Sequence, residues 1–172
     1  MNLYFRLIKL LFKILFIKKQ YALDPSVLTF RAWPFDCDFY MHMTNSRYNA
    51  MMDLGRTHLI AQAGLIGKLL KNKFILIPVS IELSYVREIK PFQKFQIRSQ
   101  LIAWDETYWF VEQKFVVNGV IHTVAMVRGV TLKNRKKIPF QKVVDLLGYK
   151  IEKPLTPTRV MAWETLLEEK KK

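Results

Sequence analysis

The chain is short of what cross-linked, metal-built or repetitive proteins depend on. Its one cysteine, Cys37, excludes an intramolecular disulfide, and no Cys/His cluster has the spacing of a zinc site. A reducing compartment and a metal-free site are the expectations that follow. Six glycines and seven prolines leave no collagen-like or low-complexity stretch, and no period of about 20–50 residues recurs, which excludes solenoids. Acids are scarce as well, 14 Asp+Glu against 28 Lys+Arg, for a formal net charge of +14. Hydrophobic residues are not scarce. At 51% of 172 residues, they let one domain bury roughly two-thirds of the surface its unfolded chain exposes, so bulk disorder is excluded.

A surplus of cations raises the question of nucleic acid, which needs Lys and Arg gathered on one face. Here they gather at the ends and at one connector: Arg6, Lys9, Lys13, Lys18 and Lys19; Lys133, Arg135, Lys136 and Lys137; Lys170, Lys171 and Lys172. No helix-turn-helix, zinc finger or RNP-like aromatic string accompanies them, so nucleic acid is not an expected partner. A solvated surface, a polyanionic small molecule such as coenzyme A, or an anionic lipid surface remain.

Residues 1–20 place Arg6, Lys9 and Lys13 in one wedge of a helical wheel, with Leu, Ile and Phe filling the rest. Spanning a bilayer would bury those charges at roughly 2.5–3.5 kcal/mol each, and the interrupted apolar run with no small-residue cleavage site does not suit a signal peptide. The reading is a basic amphipathic helix lying in an anionic membrane interface. A helix packed on its own domain or on a second copy is the alternative. A cytoplasmic protein, peripheral at a membrane if that helix adsorbs, is expected.

Beyond Asp24-Pro25-Ser26, Val27–Trp33 favours a strand that Pro34 ends. Apolar residues then recur at helical spacing from Thr44 to about Gly64, with Thr44 or Asn45 available as N-cap. After Lys73 the period becomes two: Val79, Ile81, Leu83, Tyr85, then Phe95, Ile97, Leu101. Two further runs, Tyr108–Val117 and Val120–Leu132, meet at Asn118-Gly119, a two-residue hairpin signal, and Trp104–Thr107 turns the preceding pair. Strand, long helix and four-strand meander leave no βαβ alternation. The fold class is therefore α+β, a curved antiparallel sheet wrapped around one long central helix. The sequence divides into an N-terminal helix (1–20), the α+β domain (24–135) and a helical tail (136–172), the last read as surface packing with a short amphipathic segment at Phe140–Leu147.

The chemistry concentrates between the first strand and the helix, in Phe35-Asp36-Cys37-Asp38-Phe39-Tyr40-Met41-His42-Met43-Thr44-Asn45-Ser46-Arg47-Tyr48. A helix N-terminus offers unpaired N–H groups and a positive dipole end that suit a developing oxyanion. A carboxylate just ahead of it can attack a carbonyl or activate water. Those parts suit acyl-transfer hydrolysis.

This string resembles the active-site segment of hotdog-fold thioesterases, and the element order agrees over about residues 24–135. Phe35-Asp36-Cys37-Asp38 followed by Tyr48 resembles 4-hydroxybenzoyl-CoA thioesterases, which implies Asp38 as nucleophile or base. The spacing Asp38-x-x-x-His42-x-x-Asn45-x-x-Tyr48 is similar to acyl-ACP thioesterases. His42-Met43-x-Asn45-x-Arg47-Tyr48 with Trp104-Asp105 looks closer to small thioesterase-like proteins with an apolar N-terminal segment. The acyl-ACP enzymes carry asparagine where this chain has Tyr40, and the benzoyl-CoA type has Pro-Ala-Gly in place of Phe39-Tyr40-Met41.

The site expected from these residues has Asp38 and His42 in catalysis and Tyr40, Asn45 and Tyr48 binding substrate. Other readings stay open: Asp38 as a cap or salt-bridged aspartate, His42 as a loop hydrogen-bond donor, Asn45 as a helix cap, Tyr48 as core. Asp36 is expected to be structural, paired with Arg47 or Arg56, and His58 and His122 structural. Cys37, between two carboxylates, is expected to have a raised thiol pKa and is discounted as nucleophile. The resemblance implies an acyl-CoA or acyl-carrier-protein substrate, no cofactor, and a homodimer or higher homo-oligomer. The rival is a non-catalytic, membrane-associated acyl-lipid-binding protein. A dehydratase would need a histidine and carboxylate on the central helix, an arrangement Asp53 and His58 do not make.

Overall fold

The computed structural model describes residues 2–170; Lys171 and Lys172 of the C-terminal basic cluster, and Met1, lie outside them. In chain order the elements are α1 (Asn2–Leu15), β1 (Ser26–Arg31), α2 (Asn45–Gln62), α3 (Ile66–Asn72), β2 (Phe74–Tyr85), β3 (Lys94–Trp104), β4 (Tyr108–Val117), β5 (Val120–Lys133), β6 (Lys136–Ile138), α4 (Gln141–Asp145) and α5 (Thr158–Glu169). The strands form one antiparallel sheet in the order β1-β3-β4-β5-β2, with β6 added to β5. Asn118 and Gly119 both take positive φ, 49° and 81°, the geometry that a tight hairpin between twisted strands requires. Bulges between Pro78 and Ser80, Leu101 and Ala103, and Phe115 and Val116 interrupt the ladders and curl the sheet.

The sheet wraps α2. Tyr48, Met51, Met52 and Leu59 of that helix pack into the core with Phe95, Ile97, Phe115 and Val127. At Gly55 an added Cβ would stand 2.8 Å from Gln113 Nε2 and from Ser99 Oγ, so the absent side chain is what lets helix and sheet approach. α2 is buried on nearly all sides, and the reason is visible: the sheet covers one side and α1 another.

Two segments lie deeper than the sequence reading placed them. Phe140, Val143, Val144 and Leu147 belong to the main core, and Val160 and Trp163 of α5 cover Ala103 and Phe110 on the other face of the sheet. β4 is therefore almost continuously buried rather than alternating. The other is α1. Leu10, with Leu3, Leu7 and Ile14 alongside, packs against Leu28 and Leu54, while Tyr4, Phe5, Ile8, Leu11, Phe12, Leu15 and Phe16 stay exposed. The helix is apolar on two faces, and Arg6, placed by the sequence in a cationic wedge, turns inward and is buried. No helix among the described residues is long and apolar enough to cross a membrane.

Candidate active site

A single 3-10 turn, Pro34–Asp36, follows β1, and the chain then returns to α2 through a narrow loop. Two backbone hydrogen bonds zip it, Thr44 N–H to Asp36 O (3.0 Å) and Asp38 N–H to His42 O (2.9 Å), which together pair Cys37 with Met43 as an antiparallel bridge. Met43 N–H donates to Ile89 O (2.9 Å) and so lays the loop against the segment joining β2 and β3.

The two carboxylates of the loop have opposite fates. Asp36 is fully buried, with Oδ2 2.6 Å from the Arg6 guanidinium and Oδ1 3.6 Å from Arg47 Nε, and it also accepts the Trp33 N–H at 2.8 Å. The expected partner Arg47 is present, but the close one is Arg6; Arg56 pairs with Asp53 and donates to Gln113 Oε1 (2.8 Å) instead. Asp38 is exposed. Its Oδ1 accepts the N–H of Tyr40 (2.9 Å) and of His42 (3.2 Å), and no ion pair to it exists among the described residues. This is an Asx turn that engages Oδ1 and leaves Oδ2 without a hydrogen bond among the described residues.

His42 does not orient Asp38 through its ring. Its Nε2 lies 2.6 Å from Glu88 Oε2, and only its backbone serves Asp38. Glu88, which the sequence reading missed, also pairs with Lys90 at 2.9 Å; Lys90 first, then His42, hold its carboxyl below the usual range. His122 Nδ1–H donates to Glu88 O (2.8 Å), and its own carbonyl accepts from Val86 and Arg87 (2.9 Å each), so it carries the segment that brings Glu88 to His42. No local signal marks Glu88, because α2, α3 and β2 separate it along the chain from the loop it meets.

Asn45 is the first residue of α2, and Thr44 occupies the cap position without a side-chain bond to the helix. Thr44 Oγ1 instead meets Ser46 Oγ at 3.1 Å. The first turn of α2 is thus left without a side-chain cap. Tyr40 is largely exposed beside Phe39. Tyr48 is buried, its ring 5.0 Å from Tyr85 and 4.9 Å from Phe115, and its hydroxyl pKa is raised by burial. It packs as core and has no face free for substrate in this protomer. The Cys37 thiol is pushed up by burial first, then by Asp36 and Asp38, as expected of a poor nucleophile.

An apolar cavity of about 210 Å³ lies between α2 and the sheet, walled by Leu76, Trp104, Trp109, Phe140 and Val143, with Asp53, Arg56 and Thr57 as its polar members. It runs along the second half of α2, and no residue of the Asp38 loop lines it.

His58 is a separate buried group. Nδ1 lies 2.5 Å from Ser26 Oγ, Nε2 has no partner among the described residues, and burial, then Lys13, bring its pKa from 6.5 to about 4. The folded protein keeps this ring neutral where the unfolded chain would protonate it, so stability is lost as pH falls from 6.5 towards 4, by roughly 3 kcal/mol at most. Urea unfolding across that window should show this slope in the native protein and a flatter one in His58→Gln. An equal slope in both would assign the acid sensitivity elsewhere.

A curved antiparallel sheet wrapped around one central helix is the hotdog architecture, and here a carboxylate-bearing loop runs into that helix. The chain belongs to the thioesterase-like superfamily, whose family model matches residues 32–151. It is 34% identical over 127 residues to the Saccharomyces cerevisiae protein named Probable thioesterase YBR096W, covering 71% of this chain and 54% of that one. It is 30% identical over 132 residues to Protein THEM6 of Xenopus laevis, covering 76% and 62%. The chain thus spans less than two thirds of either relative's length. Among solved structures, the YbaW Probable Thioesterase of Escherichia coli superposes with TM-score 0.62 at 18% identity, covering 71% of this chain and 98% of that one. The BH1999 gentisyl-coenzyme A thioesterase superposes with TM-score 0.60 at 18% identity, covering 70% and 97%.

Proposed function

We propose that this protein hydrolyses fatty-acyl thioesters of coenzyme A or an acyl-carrier protein, with Asp38 as general base or nucleophile and the start of α2 as oxyanion site. The observation that carries this reading is the division of labour between the loop carboxylates: Asp36 is buried in ion pairs, and Asp38 is exposed, unpaired and held by two backbone N–H groups ahead of an uncapped helix start. Asp38 would take a proton from the water that attacks the thioester carbonyl, or would attack that carbonyl itself to form a mixed anhydride that water then hydrolyses, releasing the fatty acid and restoring the carboxylate. The developing oxyanion would be met by N–H groups at Asn45 and Ser46, and the thiol of the carrier would leave. Membership of the thioesterase-like superfamily favours this chemistry, and the cationic surface suits the phosphates of coenzyme A. A panel of acyl-CoAs and acyl-carrier proteins, assayed by thiol release, should reveal turnover at some chain length.

A homodimer is part of the reading. β2 is a sheet edge carrying exposed Ile75, Ile77, Val79 and Ile81, an unprotected apolar edge that invites pairing, and the apolar cavity along α2 of one copy does not reach Asp38. Sedimentation should give the mass of two chains, and Val79→Lys should lower both mass and turnover. The same separation of cavity and carboxylate favours the second reading, a non-catalytic acyl-lipid-binding protein; retained fatty acid with no turnover on any substrate would decide for it.

The outward face of α1 supports a membrane surface as partner. Seven large apolar side chains are exposed there, with Lys9 and Lys13 beside them and Arg31 and Lys94 across a groove floored by Leu10, Leu28 and Phe30. Apolar insertion and attraction to anionic headgroups would add. Because the other face of α1 is part of the core, the test is substitution on the full chain and not truncation. Phe12→Ser/Phe16→Ser should leave anionic vesicles in a flotation assay that retains the native protein, and equal flotation would refute the contact.

A further inference from the structure

We propose that Arg6, on the N-terminal helix, is a positioning residue for the Asp38 carboxylate, so that α1 is a working part of the catalytic loop. This rests on the hydrolase reading. Arg6 is the cation of α1 that turns into the core. Its guanidinium donates to Asp36 Oδ2 (2.6 Å), Arg31 O (2.8 Å) and Met51 Sδ (2.9 Å) and lies 5.6 Å from the centre of the Phe30 ring. One side chain thereby joins four elements: α1, the end of β1, the 3-10 turn and α2.

What it grips is the base of the loop. Asp36 binds the near end through Trp33 N–H and the far end through the bond from Thr44 N–H to its own carbonyl. Cys37–Met43 and Asp38–His42 pair above it in register. The distance and angle from the Asp38 carboxylate to the first turn of α2 are set by this short ladder, and the ladder is set at its base by Asp36. Arg47 is the weaker hold, at 3.6 Å and partly exposed, whereas Arg6 is closer and buried. The fork geometry of arginine matters, because one guanidinium satisfies a carboxylate and a carbonyl together. A carboxylate displaced by about 1 Å loses up to two orders of magnitude in rate.

The test compares kcat and KM for the native chain, Asp38→Asn, Arg6→Met, Arg6→Lys and the double variant Arg6→Met/Asp36→Leu, each well below its unfolding midpoint. Arg6→Met should lose ten- to a hundredfold in kcat with KM within about twofold, and Arg6→Lys should recover only part of it. The double variant removes both buried charges and should regain stability while kcat stays low, which separates positioning from folding. If Asp38→Asn is slow and the Arg6 variants keep native kcat, or if the double variant recovers kcat with its stability, the positioning role is overturned. If the native chain shows no turnover, or Asp38→Asn is as fast as native, the hydrolase reading fails and this inference falls with it.

Discussion

Asparagine in place of Asp38 is expected to lower kcat by at least two orders of magnitude and to leave the unfolding midpoint almost unmoved. The two outcomes have different causes. The amide oxygen can still accept the Tyr40 and His42 N–H groups that close the turn, so the loop keeps its shape. What is lost is the negative charge that would attack or accept a proton, a contribution of about 10²–10⁴-fold in general-base catalysis. Asp38→Glu, which keeps the charge and moves it by one methylene, should fall between. Thiol-release kinetics beside thermal denaturation make the comparison, and equal kcat for native and Asp38→Asn would remove this carboxylate from the chemistry.

Leucine in place of Asp36 is expected to do the reverse to stability. Asp36 and Arg6 are both buried, and removing one partner strands the other charge away from water. Such losses amount to about 3–5 kcal/mol, against about 0.5 kcal/mol or less for an exposed control such as Asp24→Asn. The Trp33 N–H would lose its acceptor as well. Urea unfolding of the two variants should separate them clearly, and similar midpoints would mean that the Arg6–Asp36 pair holds nothing together.

The outline of the fold was legible where its causes are local. Asn118-Gly119 favours positive φ without help from the rest of the chain, and the hairpin between β4 and β5 lies where those residues put it. The change from helical to period-two spacing after Lys73 marked the start of the meander in the same way. α2 was legible by its length and ends, but not by which face it buries, because a helix enclosed on nearly all sides carries no polar stripe. Phe140–Leu147 shows the converse error: a short amphipathic segment looks like surface until the cavity wall that needs its apolar side is known.

For the site, the sequence by itself determined that two carboxylates, a histidine and a helix start would share one loop, since that follows from adjacency along the chain. Only the tertiary structure decided what each does. Asp36 and Asp38 sit two residues apart with the same chemistry, and what separates them is Arg6, delivered by a helix that the sequence left free to lie on a membrane, its own domain or a second copy. His42 met Glu88 rather than Asp38 because the segment after β2 passes beside the loop. Hydrogen-bond and turn preferences act over a few residues and can be read in order; charge pairing depends on which distant groups are brought out of water together, and that is settled only when the chain has packed.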